Sequence, residues 1–353
     1  MLTAKVMAAL LMPLLVPQIP SGLRSAAAVT LAASDQSSVF PDSARVKAAL
    51  NFPLELHNLL MVASNASERP PEFAAMLAAY DRQIADYKDA RRVIVEPLAW
   101  RYINDAILEG PDMVTIVARA SGAPASLGAP DAEGVRKILT ALGAAWPRFE
   151  KADLDARRVS LQKMRSRIEK LTALFEPKVM PVIYTKLALS LPDAPVTVYP
   201  VIDALDSGVV GRTTAGYYLV IPTTRRPDMV ILETLIHEMT HLLDSIQPAD
   251  QKSILRRVRA AATANSRRDV EEMLHGLVTY NSGVVLQRFG KPDYTPLVNA
   301  SPAMGEKIAK YRAVFDGPWS EYLSGKIDET QVIKALVGAV GGASKAQASS
   351  SRN

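Results

Sequence analysis

Residues 227–246, PDMVILETLIHEMTHLLDSI, carry the reading on which the rest of the chain hangs. Pro227 and Asp228 supply a helix start, and from Met229 to Ile246 apolar residues cover most of the circumference, the mark of a buried helix. In its middle stands His237-Glu238-Met239-Thr240-His241. Side chains four apart on a helix share a face about 6 Å apart, so the two imidazoles can grip one tetrahedral metal ion while Glu238 flanks it. The chain has only 4 histidines, at positions 57, 237, 241 and 275. Two of them at this spacing around a Glu are expected by accident in well under about one chain in a hundred. The alternative to a metal is a pair of hydrogen-bonded core histidines beside a salt-bridged Glu238, since polar groups inside so apolar a helix need partners.

Upstream of this helix, Ala194 to Ile202 (APVTVYPVI) and Gly216 to Ile221 (GYYLVI) are short, β-branched and aromatic, and are bounded by Pro, Asp, Ser and Gly. They read as two strands joined by a loop. Downstream, helices are expected from about Arg268 to Tyr280 and from Gly305 to Phe315. From Ser43 to about Leu189 the pattern is helical, with apolar residues at three- and four-residue spacing and Pro- and Gly-rich joints. Within it, Arg157 to Phe175 reads as an amphipathic helix with Leu161, Met164, Ile168, Leu171 and Leu174 on one face.

Composition bounds the chemistry. At 353 residues, with 48% apolar and 22% charged side chains, the chain can bury a sizeable core. The absence of cysteine removes disulfides, thiol nucleophiles, thiolate zinc sites and iron–sulfur clusters, so any metal must use His, Asp or Glu. A net charge of +5 from 41 basic and 36 acidic residues is near balance and argues against a nucleic-acid partner. At the N-terminus, Lys5 precedes an apolar run from Val6 to Val16, with small residues at Ala26-Ala27-Ala28, and this reads as an export signal. Pro13, Pro17 and Pro20 interrupt the run, which is shorter than the roughly 20 residues of a membrane span, so no stable membrane anchor is expected. A secreted or periplasmic location follows.

At HEMTH the chain resembles the HExxH zinc metallopeptidases called zincins, over about Ala194 to Tyr280. That resemblance implies a Zn²⁺ cofactor held by His237 and His241, a peptide or protein substrate, and a small antiparallel sheet before the motif helix whose edge strand, here GYYLVI, holds extended substrate. The metzincin branch needs glycine and a third histidine soon after His241, but Leu242-Leu243-Asp244-Ser245-Ile246 follows instead. The gluzincin-like pattern remains, in which a Glu from a downstream helix completes the site. Glu271 and Glu272 are the candidates; Glu271 is favoured because it borders the side defined by Val270, Leu274, Leu277 and Val278, whereas Glu272 falls nearly opposite.

His275, four positions after Glu271, stands where such families place an orienting polar residue; it could orient, replace the carboxylate as a direct ligand, or donate to the transition state. Asp244 could orient an imidazole or be solvated. Among Tyr217, Tyr218, Tyr280 and Tyr294, Tyr280 is the first candidate for an oxyanion donor, and His57 reads as structural. With three protein ligands, Glu238 would act as general base and then general acid toward a peptide bond. The competing class is a non-catalytic exported scaffold or binding protein with a structural zinc or none.

The expected fold is therefore α+β and predominantly helical. A signal peptide over 1–28 precedes a helical N-terminal region over 40–190, a zincin-like region over 191–335 with its small antiparallel sheet and buried motif helix, and a disordered tail over 336–353.

Overall fold

The computed structural model describes residues 46–65, 76–122, 126–175, 177–190, 192, 194–202, 208–214, 216–223, 226–247, 252–262 and 267–350, with the backbone alone for 174–175 and 341–350. The expected signal peptide lies outside the described residues. No helix among them is long and apolar enough to cross a membrane.

The chain is α+β and predominantly helical, around a four-stranded sheet. In chain order come β1 (Val46–Ala48), α1 (Phe52–Asn65), α2 (Asp81–Val93), α3 (Pro97–Glu109), α4 (Ala129–Arg148), α5 (Leu154–Phe175) and α6 (Met180–Leu187). They are followed by β2 (Val196–Val201), β3 (Val209–Thr213), β4 (Gly216–Pro222), α7 (Asp228–Ile246), α8 (Ile254–Ala261), α9 (Arg267–Val285), α10 (Pro302–Ala309) and α11 (Glu329–Ser350).

The sheet order is β1-β2-β4-β3. β1 and β4 both run parallel to β2, with Val196 opposite Val46 and Tyr217, while β3 pairs antiparallel with β4, Val210 opposite Leu219. The sheet is thus mixed, not antiparallel as expected, and GYYLVI is an interior strand rather than the edge. Its physical reason is burial on both faces: all 7 residues of β4 are buried, Tyr217, Leu219 and Ile221 facing one core and Tyr218 and Val220 the other. Leu219 and Ile221, fully buried, each contribute roughly 1.5–3 kcal/mol by the area removed from water. The edge strand is β3, which fell inside the expected loop.

Helices α1 to α4 fill one face of the sheet, while residues from Ile168 onward fill the other. The N-terminal helices therefore complete the sheet's second face. Two ties set the β3–β4 hairpin on α3: Tyr218 Oη donates to Asp105 at 3.0 Å, and Glu109 accepts the Thr214 N–H at 2.8 Å. Gly216 closes the hairpin at φ +138°, where a Cβ would meet the Pro195 carbonyl at 2.5 Å. On the same side Glu55 pairs with the buried Arg157 and accepts the Ile202 N–H at 2.9 Å, joining α1, α5 and the end of β2.

The expected tail is corrected at its start. Residue 336 lies inside α11, and Val332, Leu336 and Val340, four apart, bury a continuous stripe.

Candidate metal centre

α7 is nearly all core: Ile231, Leu232, Leu235, Ile236, Met239, Leu242 and Leu243 are buried. One polar stripe crosses it at four-residue spacing, Glu233, His237 and His241. α9 packs against this stripe in the opposite sense. A Cβ at Gly283 would lie 2.8 Å from Glu233 Oε1, while His275, two turns earlier on α9, meets His237 and His241.

The three imidazoles form a nearly equilateral group. Ring centroids are 4.5 Å apart for His237 and His241, 5.3 Å for His237 and His275, and 5.2 Å for His241 and His275. His237 Nε2 and His241 Nε2 are 3.0 Å apart, and one ring nitrogen from each of the three lies within 4.8 Å of the others. Nitrogens about 2.0–2.1 Å from a tetrahedral zinc lie about 3.3 Å from one another, close to the 3.0 Å between His237 and His241.

The electrostatics suit ligands. Burial and the neighbouring imidazoles pull His237 down to about 3, and burial with His275 and Arg259 pulls His241 down to about 4 against the opposing field of Asp244. His275 is lowered by burial and by Lys307. All three are neutral at pH 7, the state whose lone pairs can hold a metal. Three neutral imidazoles within reach of one another have the donor chemistry that a metal ion such as zinc requires.

Glu238 is buried and directed at the start of β3: a Cβ at Gly208 would fall 2.4 Å from its Cγ and 2.9 Å from its Oε1. Only a glycine lets the edge strand approach this carboxylate so closely. Sequence reasoning passed over Gly208, although a lone glycine leading into a strand is a signal of close backbone approach.

The structure does not bring the favoured third ligand together with His237 and His241. Glu271 is exposed and pairs with Arg259 Nε at 3.0 Å, and the metal-competent group holds His275 in its place. Glu272 is exposed as well. Glu271 and His275 share a face of α9, but the two helices meet at the level of His275, one turn further along. Asp244, one turn beyond His241, is buried rather than solvated; its field acts on His241, and it accepts from Arg259 Nη1 at 2.6 Å. Arg259 thus bridges α7 and α9 beside the histidines.

Tyr280 is committed elsewhere. Its hydroxyl donates to Asp316 at 2.8 Å and its ring packs on Phe315; burial, with Asp316, pushes it up to about 12. Tyr218 is tied to Asp105 and Tyr294 donates to Glu233, whose carboxylate also accepts the Leu297 N–H at 3.0 Å. Arg212 covers the ring of Tyr217 at 5.3 Å. None of the four belongs to the three-histidine group. A cation that sequence reasoning missed is Lys307 on α10, which acts on His275; α10 packs on α9 through Ile308, 3.5 Å from a Cβ placed at Gly276. His57 lies in the N-terminal core, its Nδ1 3.1 Å from Tyr87 Oη.

No known protein family matches the chain, and neither curated proteins nor solved structures show a significant similarity to it.

Proposed function

We propose that the chain is an exported zinc-dependent metallohydrolase of the HExxH type, most readily a peptidase, with His237, His241 and His275 as metal ligands. The observation that carries this reading is the convergence of His275, from a helix 34 positions on, with the His237–His241 pair. This reading departs from the gluzincin-like pattern in its third ligand, taking His275 in place of Glu271 four positions earlier.

Zinc, when bound, lowers the pKa of a water from 15.7 toward about 7 and polarises a carbonyl oxygen. The chain's own residues do the rest. Glu238, next in sequence to one ligand and braced against Gly208, is placed to take the attacking water's proton on a carboxylate oxygen and to return it to the leaving amine. β3 is an edge of the sheet among the described residues, and in this reading an extended peptide would add along it, past Glu238. The exposure of His275 favours an open, catalytic site over a closed four-ligand structural one.

The test is zinc content per chain together with cleavage of a broad peptide library by the purified exported form. One zinc and a metal-dependent cleavage pattern are expected. Bound zinc with no hydrolysis of peptides or other amides would sink the catalytic part and favour the structural alternative; no zinc would sink the whole. Intact mass checks export, with a mature chain expected to begin between about residues 29 and 35.

A further inference from the structure

Three contacts seat α10 and the turn after it on α9. Lys310 Nζ donates to Asp269 at 3.0 Å, the Tyr311 hydroxyl donates to the Asp269 carbonyl at 3.0 Å, and Ile308 comes within 3.5 Å of a Cβ placed at Gly276. Lys307 precedes Ile308 and His275 precedes Gly276, so the third contact sets this lysine beside the exposed member of the three-histidine group. Of the three imidazoles, His275 is the one on which the charge of Lys307 acts. No carboxylate among the described residues pairs with Lys307. Asp269 is taken by Lys310, and Glu272, three residues before His275, acts on Lys310 and Tyr311.

Three of the tyrosines that sequence reasoning offered to a developing oxyanion are engaged elsewhere: Tyr280 with Asp316, Tyr218 with Asp105, and Tyr294 with Glu233. Arg259 holds both Asp244 and Glu271. Lys307 is exposed and carries its ammonium on a flexible four-carbon stem, so its three donors can turn toward a group entering on the side of His275. A metal ion held by three imidazoles keeps its full charge, because these ligands are neutral. Such an ion and an ammonium beside it would both attract a negatively charged oxygen on that side.

We propose that Lys307 receives a negatively charged oxygen of the substrate at the exposed side of the three-histidine group. This rests on the metallohydrolase reading. Two sources share the chemistry: the oxyanion that develops on the attacked carbonyl, and a carboxylate that the substrate carries next to the bond. A contact to the oxyanion exists only in the transition state and acts on kcat. A contact to a carboxylate is made on binding and acts on KM.

The test uses the full exported chain with Co²⁺ in place of zinc, because the visible absorption of the ion changes when an anion reaches it. Acetate is the probe. Cobalt uptake is measured first: a chain that takes up no metal overturns this proposal and the metallohydrolase reading together, whereas normal uptake leaves the acetate titration to decide this proposal alone. Lys307→Gln should weaken acetate binding about five- to tenfold, the loss of one charge-assisted contact, and Lys307→Arg should bring it back to within about threefold of the wild type. Lys310→Gln removes a cation that Asp269 already holds and should change acetate binding less than twofold. Equal affinity in the wild type and Lys307→Gln overturns the proposal. So does a loss in Lys310→Gln as large as that in Lys307→Gln, which would mark a diffuse field in place of a contact. Among the peptides that the zinc-loaded chain cleaves, a fall in kcat across all of them in Lys307→Gln assigns the oxyanion, and a rise in KM confined to acidic peptides assigns the carboxylate; no change in either constant overturns the proposal. Gln at position 307 is a good helix former on an exposed site, and unchanged cobalt uptake and melting temperature will show that the fold is intact.

Discussion

Replacing His275 by Ala should separate the two accounts of the third ligand. Apparent zinc binding free energies for structural sites run to about 10–16 kcal/mol over four ligands, or about 2.5–4 kcal/mol for each. Loss of one imidazole from the group of three should therefore weaken zinc binding by about 10²–10³-fold. The side chain is exposed, so its removal leaves no buried cavity, and the metal-free protein should keep its stability within about 0.5 kcal/mol. Glu271→Ala is the control. It breaks an ion pair with Arg259 whose acidic side chain is 51% exposed, and it leaves all three ring nitrogens in place, so zinc binding should weaken by less than about tenfold. Competition against a chromogenic zinc chelator at pH 7.5 gives both constants. If Glu271→Ala costs as much as His275→Ala, or if His275→Ala stays within tenfold of the wild type, the three-histidine site is wrong.

Glu238→Gln should keep zinc and lose roughly 10²–10⁴-fold in turnover, because an amide cannot take the proton; near-wild-type turnover would remove Glu238 from the mechanism. Gly208→Ala places a Cβ 2.4 Å from Glu238 Cγ, and the side chain must swing aside. Turnover should fall roughly 10²-fold with zinc content unchanged, and a fully active variant would show that the carboxylate's position is immaterial. His57 is held by burial at about 4 rather than 6.5, so the unfolded chain takes up a proton that the folded chain refuses as pH falls through this window. The gap of 2.5, at 1.36 kcal/mol for each, amounts to about 3 kcal/mol of stability present above pH 6.5 and lost by about pH 4. In denaturant titrations of the zinc-loaded protein His57→Gln should flatten this part of the pH profile, and an unchanged slope would refute the assignment.

Much of this arrangement was legible because it depends on local periodicity. The apolar circumference of residues 229–246 gave a buried helix, and α7 runs over Asp228–Ile246. The segments of β2 and β4 were found, but β1, inside the stretch read as helical, and β3 were not, nor was the order, since β-branched composition is the same in parallel and antiparallel pairs. The continuous run GYYLVI did hold the clue, because a strand buried on both faces belongs inside a sheet. β3, VVGRT, carries a glycine and an arginine in 5 residues and shows no alternation to find. In α11 the stripe Val332, Leu336 and Val340 was diluted by the small residues around it. The third ligand failed for a different reason. A helical wheel assigns Glu271 and His275 to one face but says nothing about where along the axis another helix crosses, and that level depends on tertiary packing alone.

Along the polar stripe of α7 and just beyond it, carboxylates and histidines are matched differently. At one end Glu233 is matched by the Tyr294 hydroxyl and the Leu297 N–H; near the other end Asp244 is matched by Arg259. Each of these charges is answered by a group from another element, as burial demands. Between them, His237 and His241 meet chiefly each other and His275, three groups of one kind that burial keeps from charging. A protein selected for stability alone would gain by filling this position with leucine, as it does at Leu235, Leu242 and Leu243 on the same helix. Three imidazoles brought together by two helices, with Glu238 of the same helix packed against Gly208, are what the proposed metal site would use.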